Sequence, residues 1–157
     1  MYSLVKRQVE VELLPLAQSE QMGVITYSPL GGGLLTGKFG VGRRPESGRL
    51  TVNKMYQNRY GDEINYEVAD RLTAYAAERG EHPATLAVAW VMSHPAITAP
   101  IVGARNLEQL EPSLRAAELK MPPEWRAELS ALTPEPPSAT DRSEEKRGMT
   151  YQGALAK

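Results

Sequence analysis

The sequence predicts an α/β protein with a parallel sheet, because short apolar strands alternate with longer helical segments. Residues 24–27 and 97–102 are β-branched or apolar runs of the kind that form buried strands. Residues 62–79, between these runs, carry apolar side chains at helical spacing. Strands that are joined through helices run parallel, since the connection returns the chain to the same end of the sheet. A short apolar stretch at residues 2–5 is a possible further strand.

The remaining elements follow from apolar spacing and from the residues at the segment ends. Residues 9–21 are predicted to be a bent helix or two short pieces, because Pro15 interrupts the pattern. Residues 31–49 contain seven glycines and are predicted to be a long, exposed loop. Further helices are predicted at residues 84–93, which are apolar nearly all round and so expected to be buried, at 106–117, and from Pro122 onward.

Composition bounds the class of protein. The 157 residues are enough for one domain, and a net charge of -1 gives no reason to expect a nucleic-acid or membrane-surface partner. No apolar run reaches the ~20 residues of a membrane span. The chain has no cysteine, which excludes disulfides and Cys-based metal sites and fits a reducing cytoplasm. Two or three parallel strands leave open sheet edges, so we expect part of the protein to be absent from this chain.

The first candidate site is residues 27–38, directly after a predicted strand. Tyr27 could lie flat against a planar ring, and consecutive glycines let backbone N–H groups approach phosphate oxygens. Lys38 could add a positive charge. The alternative is a connecting loop that binds nothing. A P-loop is disfavoured, because Phe39 stands where that motif needs a hydroxyl and Pro45 and the nearby glycines prevent a following helix.

The second candidate site is residues 101–110, where a predicted strand turns into a helix. Free backbone N–H groups at a helix start favour an anion. Arg105 adds a guanidinium suited to a phosphate. The alternative is that Asn106 only caps the helix and that Arg105 is solvated.

Together, the two segments resemble the cofactor-binding elements of the aldo-keto reductase family, in their order and in their strand context. Residues 27–38 resemble the loop after the seventh barrel strand, and residues 101–110 the turn and helix after the eighth. Residues 2–4 resemble the end of the sixth strand. The resemblance implies the C-terminal portion of a parallel (β/α)8 TIM barrel, incomplete in this chain, at residues 1–133. An irregular tail is expected at residues 134–157.

The resemblance implies that the first site holds the nicotinamide and pyrophosphate parts of NADP(H). Tyr27 would stack on the nicotinamide ring, and Lys38 would lie where the loop closes over the cofactor. The pyrophosphate and its ribose would be held by Ser28 and Leu30 with the backbone of Gly31, Gly32 and Gly33.

The second site would hold the adenosine end of the same cofactor. Gly103 and Arg105 would bind the 2′-phosphate, which favours NADP over NAD, and Gln109 would reach the adenine end. This chain has Pro112-Ser113 where the family often has a Glu-Asn pair that contacts adenine.

The implied reaction of the complete protein is reversible hydride transfer between NADP(H) and a small aldehyde or ketone. The cofactor supplies the hydride, and an acid protonates the carbonyl oxygen. The family's catalytic Asp, Tyr, Lys and His lie on earlier barrel strands, so no residue here is assigned a catalytic role and we expect the chain to be inactive alone. No metal site is supported. The tyrosines and histidines of this chain are expected to be packing, surface or structural residues: Tyr56, Tyr60, Tyr66, Tyr75, His82 and His94.

Three hypotheses follow. The first is a truncated or split reductase. The second is a non-catalytic module that senses NADP(H) or pairs with a complementary N-terminal half-barrel. The third is a degenerate gene remnant that does not fold.

Overall fold

A computed structural model describes residues 1–138 and contains a two-stranded parallel sheet and seven α-helices within them. In chain order the elements are a 3-10 helix Gln8–Glu10, α1 Leu13–Ser19, β1 Ile25–Tyr27, a second 3-10 helix Gly31–Thr36, α2 Arg49–Val52, α3 Lys54–Tyr60, α4 Glu63–Glu78, α5 Pro83–Met92, β2 Ala99–Ile101, α6 Leu107–Arg115 and α7 Pro123–Ala131. The α/β class predicted from the sequence is confirmed. Among the described residues, no helix has the length and apolar character needed to cross a membrane.

The two strands pair in parallel, with Ile25 opposite Ala99 and Tyr27 opposite Ile101. The register begins just before the strands, where the Val24 N–H donates to the Thr98 hydroxyl at 3.0 Å and the Thr98 N–H donates to the Val24 carbonyl at 2.9 Å. Both strands therefore end at the same level of the sheet, and the segments that follow them begin side by side.

The possible third strand at residues 2–5 is not formed. Ser3 and Lys6 instead pair with each other in an isolated antiparallel bridge, which turns the chain away from the sheet. Only the start of the segment reaches β1, where the Tyr2 N–H donates to the Tyr27 carbonyl at 3.2 Å. This single hydrogen bond is not enough to make residues 2–5 a third strand of the sheet.

The predicted helix at residues 9–21 is divided, but not at Pro15. The break falls between the first 3-10 helix and α1, and Pro15 lies in the first turn of α1, where its missing N–H costs no hydrogen bond. The helix ends before Gly23, because Gln21 adopts a left-handed conformation (φ 52°) and the Met22 N–H returns to the Ala17 carbonyl at 2.8 Å.

Helix α5 lies at the centre of the core, as its all-round apolar sequence predicts, and residues 84–91 are all buried. Trp90 is fully buried, and its Nε1 donates to the Ser130 hydroxyl of α7 at 2.9 Å. The guanidinium groups of Arg7 and Arg126 lie 5.6 and 5.0 Å from the centre of the Trp90 ring. Contacts of Trp90 therefore join the first residues of the chain, α5 and α7.

The prediction of a long, exposed loop at residues 31–49 is confirmed for residues 41–48, which are exposed or half-buried and form no helix or strand, and is wrong for the part before them. Leu34, Leu35 and Phe39 are buried in the core, and the first six positions form the 3-10 segment Gly31–Thr36, which is kinked by non-helical φ/ψ angles at Gly32 and Gly33. The glycines permit left-handed turns that place these apolar side chains inward, and composition alone does not reveal this. Residues 134–138 have no regular secondary structure; residues 139–157 of the predicted tail lie outside the described part.

Candidate functional site

The first candidate site begins where β1 ends. Alternation along the strand buries Thr26 on the helix side and leaves Tyr27 50% exposed on the open face of the sheet. Ser28 then turns the chain with φ 60°, a left-handed conformation that is unusual for a residue with a side chain. The Tyr27 ring therefore stands at the carboxyl end of the strand with a surface available for a planar ligand.

The glycines of this site form a tight left-handed turn. Gly31, Gly32 and Gly33 have φ values of 57°, 69° and 103°. A Cβ at Gly32 would come within 2.5 Å of the Tyr56 ring, so a larger residue could not occupy this position. The N–H groups of Gly31 and Gly33 donate to the carbonyls of Ser28 and Leu30, each at 3.0 Å. Two of the three glycine donors are thus already engaged within the turn.

Cationic side chains surround the aromatic residues beside this turn. Arg49 and Arg59 lie 5.6 and 6.0 Å from the centre of the Tyr56 ring, and Lys6 lies 6.0 Å from that of Tyr60. These three cations were not among the site residues predicted from the sequence. The spacing of Arg59 from Tyr56, one helical turn, was the available signal. The turn is therefore a region of positive potential that suits an anionic ligand.

Lys38 lies apart from the glycine turn, beside the start of α5. A Cβ on the preceding residue, Gly37, would lie 3.2 Å from Pro83, so this part of the loop touches the first turn of the helix. Burial lowers the pKa of the neighbouring His82, and the charge of Lys38 lowers it further. Lys38 is exposed and has no ion-pair partner within residues 1–138.

The second candidate site lies at the start of α6, beyond the end of β2. Asn106 caps this helix, since its side chain accepts from the Gln109 N–H at 3.0 Å. The Gln109 side chain turns back and accepts from the Arg105 N–H at 3.4 Å. Gly103 and Arg105 are exposed, and the Arg105 guanidinium has no ion-pair partner in the described part of the chain.

Pro112 and Ser113 face the core of the protein. Ser113 is buried, and the Pro112 carbonyl accepts from the hydroxyl of Thr85 on α5 at 2.7 Å. These two positions fix α6 to α5, so any contact to a ligand at the helix start comes from earlier residues of α6.

The two histidines and several tyrosines outside the two segments have structural contacts. His82 Nδ1 and His94 Nδ1 accept backbone N–H groups from Ala84 and Ala96, each at 3.1 Å. Tyr60 and Tyr66 are buried, and the Tyr75 hydroxyl, on a half-buried side chain, hydrogen-bonds Glu128. No group of three or more His, Asp or Glu side chains that could hold a metal ion occurs among residues 1–138.

The strand register brings the two candidate sites to one edge of the sheet. Tyr27 and Ile101 are partners in the ladder, so the segment with the exposed aromatic ring and the helix start with Arg105 follow neighbouring strand ends. An aromatic surface, cationic side chains and a helix N-terminus at one edge match an elongated ligand with a planar ring and phosphate groups.

Comparison with known proteins gives consistent matches. The model described as the aldo/keto reductase family matches residues 1–133. YrpG, an uncharacterised oxidoreductase of Bacillus subtilis (strain 168), is 35% identical over 141 residues, which cover 88% of this chain and 40% of YrpG. Protein tas of Escherichia coli (strain K12) is 31% identical over 131 residues, covering 83% of this chain and 38% of tas.

A third relative is named as a subunit of an ion channel. A probable voltage-gated potassium channel subunit beta of Oryza sativa subsp. japonica is 32% identical over 145 residues, which cover 89% of this chain and 44% of that protein. The chain thus spans about two fifths of the length of the curated relatives it matches.

Proposed function

Because this chain belongs to the aldo/keto reductase family, whose fold is a (β/α)8 barrel, we propose that it is the NADP(H)-binding, C-terminal part of a carbonyl reductase. When bound, the nicotinamide cofactor supplies the hydride for reduction of an aldehyde or ketone. We assign no catalytic acid to this chain, and we expect the 157 residues alone to be inactive. The lack of cysteine favours action in a reducing cytoplasm.

The main support for this proposal is that the two candidate sites lie at the same edge of the sheet. Tyr27 offers an exposed ring at the end of β1, and its ladder partner Ile101 leads into the Arg105 turn. In α/β folds, ligands bind beyond the carboxyl ends of the strands. An extended dinucleotide can therefore contact the Tyr27 ring at one end and the start of α6 at the other.

Each part of the site has a role in holding the cofactor. The Tyr27 ring would support the nicotinamide face, with Ser28 and Leu30 beside the adjoining ribose and pyrophosphate. Because two glycine donors are already engaged, we expect Arg49 to share in neutralising the pyrophosphate. Lys38 would contribute a longer-range charge from beside α5.

We propose that the adenosine end is held at the start of α6. Gly103 leaves room beside the turn, and the unpaired guanidinium of Arg105 would bind the 2′-phosphate that distinguishes NADP from NAD. Gln109 lies on the first turn of α6, from which it would approach adenine after releasing its long hydrogen bond to the Arg105 N–H.

The first experiment measures binding of NADPH and NADH to the full chain by cofactor fluorescence. We expect Arg105→Gln to weaken NADPH binding about tenfold, because a charged hydrogen bond to phosphate is lost, and to leave NADH binding unchanged. Arg115→Gln is the matched control, since Arg115 lies on the same helix and faces Glu81 at 3.8 Å. An equal loss for both cofactors would contradict a 2′-phosphate contact, and brisk NADPH-dependent carbonyl reduction by the chain alone would contradict its inactivity.

The second candidate function is a non-catalytic module that senses NADP(H) or pairs with a complementary N-terminal half-barrel. The observation that favours it is the open face of the sheet, where Ile25, Tyr27 and Ile101 are 66%, 50% and 59% exposed. An apolar sheet face of this kind is normally covered by other strands or helices.

An antibody against this chain distinguishes the two candidates in cell extract. A band well above 17.3 kDa would show that the sequence is part of a longer reductase. A band at 17.3 kDa that co-purifies in a discrete complex with one other polypeptide would support the interaction module.

A further inference from the structure

A loop with several basic residues contacts helix α4 at two places, the first of which is the carboxylate of Asp70. We call residues 37–48 the basic loop. The Val41 N–H donates to Asp70 Oδ2 at 2.8 Å, and the Arg43 guanidinium donates to Asp70 Oδ1 at 2.8 Å. A Cβ at Gly40 would lie 2.0 Å from Asp70 Oδ1, so the contact requires glycine at this position of the loop.

A second attachment lies one to two turns earlier on α4. The Arg44 guanidinium is 3.2 Å from the centre of the Tyr66 ring and forms an ion pair with Glu63 at 3.1 Å. It also donates to the Gly40 carbonyl within the loop. The three contact positions on α4 are spaced by three and four residues, so they form one face of the helix.

The basic loop connects the two elements that shape the glycine turn. It leaves the 3-10 helix Gly31–Thr36 and enters α2 at Arg49. Leu50 and Tyr56 then lie against Gly32, where a Cβ would be 3.3 and 2.5 Å from them. A loop fixed to α4 therefore holds α2 and the Arg49 side chain beside the turn.

We propose that Asp70 is a positioning residue that clamps the basic loop to α4 and thereby slows release of the dinucleotide held at the glycine turn. This inference rests on the function proposed above. The carboxylate acts mainly through its bond to the Val41 N–H, because the side chains of Asp70 and Arg43 are 41% and 50% exposed and their ion pair is screened by water.

The test combines limited trypsin digestion with the rate of NADPH release, measured by stopped-flow fluorescence on the full chain. We expect Asp70→Ala to speed cleavage of the Arg43–Arg44 bond and release of NADPH, each about fivefold, since one charge-assisted hydrogen bond is lost at a partly exposed site. Asp70→Asn keeps an acceptor for the Val41 N–H, so its rates of cleavage and of NADPH release should lie between those of the unaltered chain and those of Asp70→Ala.

Two further variants make the result specific. Gly40→Ala disturbs the same contact from the loop side and should reproduce the Asp70→Ala result in both measurements. Glu67→Ala is the control, because Glu67 lies one turn away on α4 and pairs with Arg71 at 3.6 Å rather than with the loop.

The outcomes separate this inference from the proposed function. Unchanged cleavage in Asp70→Ala and Gly40→Ala overturns the clamp, and faster cleavage with unchanged NADPH release overturns its effect on the ligand. If the unaltered chain fails to bind NADPH while the cleavage difference persists, the proposed function fails and the clamp itself is supported.

Discussion

Two histidines of this protein serve as hydrogen-bond acceptors at bends of the chain. His82 Nδ1 accepts the Ala84 N–H at the start of α5, and His94 Nδ1 accepts the Ala96 N–H after its end. Burial lowers the pKa of both, with a further contribution from Lys38 at His82 and from Arg126 at His94; Glu10 opposes the shift at His94. Protonation of either Nδ1 would also remove the acceptor.

We therefore expect the protein to lose stability as pH falls below the ordinary histidine value of 6.5. The folded pKa values lie below the unfolded ones, so the unfolded state takes up protons first and the free energy of unfolding declines from that pH downward. Urea unfolding at about pH 7.5 and about pH 5.5 measures the change.

The double variant His82→Asn/His94→Asn tests whether protonation of the two histidines causes this loss of stability. An asparagine side chain accepts the same N–H groups without titrating. The free energy of unfolding should therefore differ less between the two pH values in this variant than in the unaltered chain. A variant that keeps the full pH dependence would assign it to groups other than these two histidines. Glu10 is not one of them, because hydrogen bonds from Arg7 and Tyr2 outweigh burial and hold its pKa below the usual 4.5, so its contribution to stability falls only below that pH.

Single residues also show what the sequence could and could not predict of the candidate site. The positions of Tyr27, at the end of β1, and of Arg105, in the turn after β2, could be predicted because the sequence pattern of each strand is local. The position of Lys38 depends on the contact of Gly37 with Pro83, which lie far apart in sequence. The conformation of the Gln109 side chain, which accepts from the Arg105 N–H, depends on the geometry of the helix cap, and residue types alone do not specify this geometry.

Among the elements, helix α6 is held at its start by the Asn106 cap. It has nine residues, and Pro112 within it cannot donate a backbone hydrogen bond. We expect Asn106→Ala to lower the free energy of unfolding by about 1 kcal/mol, the usual value of an N-cap. Asn106→Ser restores an acceptor and should recover most of this loss in urea unfolding. Equal stability of the alanine variant would mean that packing of α6 on α5 alone holds the helix.

The sequence predicted elements well where the apolar pattern is long and regular. Helices α4 and α5 lie within two residues of their predicted limits, because their buried faces repeat over at least ten residues. Helices α2 and α3 were missed, since their sequence is polar and their support comes from Leu50 and Tyr60, which are buried against distant residues. Short helices of this kind depend on tertiary contacts rather than on propensity.

At the scale of the whole molecule, the open sheet face is the feature with the clearest consequence in solution. We expect the isolated chain to self-associate, because Ile25, Tyr27 and Ile101 are all exposed on the open face of the sheet. Ile25→Thr/Ile101→Thr keeps β-branched residues in both strands and should shift the population toward monomer in size-exclusion chromatography with light scattering.

Val52→Thr provides the control, since Val52 is 75% exposed at the end of α2 and is not part of the sheet. It should leave the oligomer distribution unchanged. A monomeric unaltered chain, or an equal effect of Val52→Thr, would show that the sheet face does not drive association.

The long connection between β1 and β2 has a consequence for synthesis of the protein. Val24 and Thr98, which begin the parallel pair, are 74 positions apart. At about 5–20 residues per second, a ribosome that has produced β1 needs on the order of several seconds before β2 emerges. During that interval β1 lacks its partner β2, while α4 and α5 can form from local contacts. The nascent chain therefore exposes the edge of β1 that later pairs with β2, for a time in which chaperones can bind, and slower translation of residues 28–98 would lengthen that exposure.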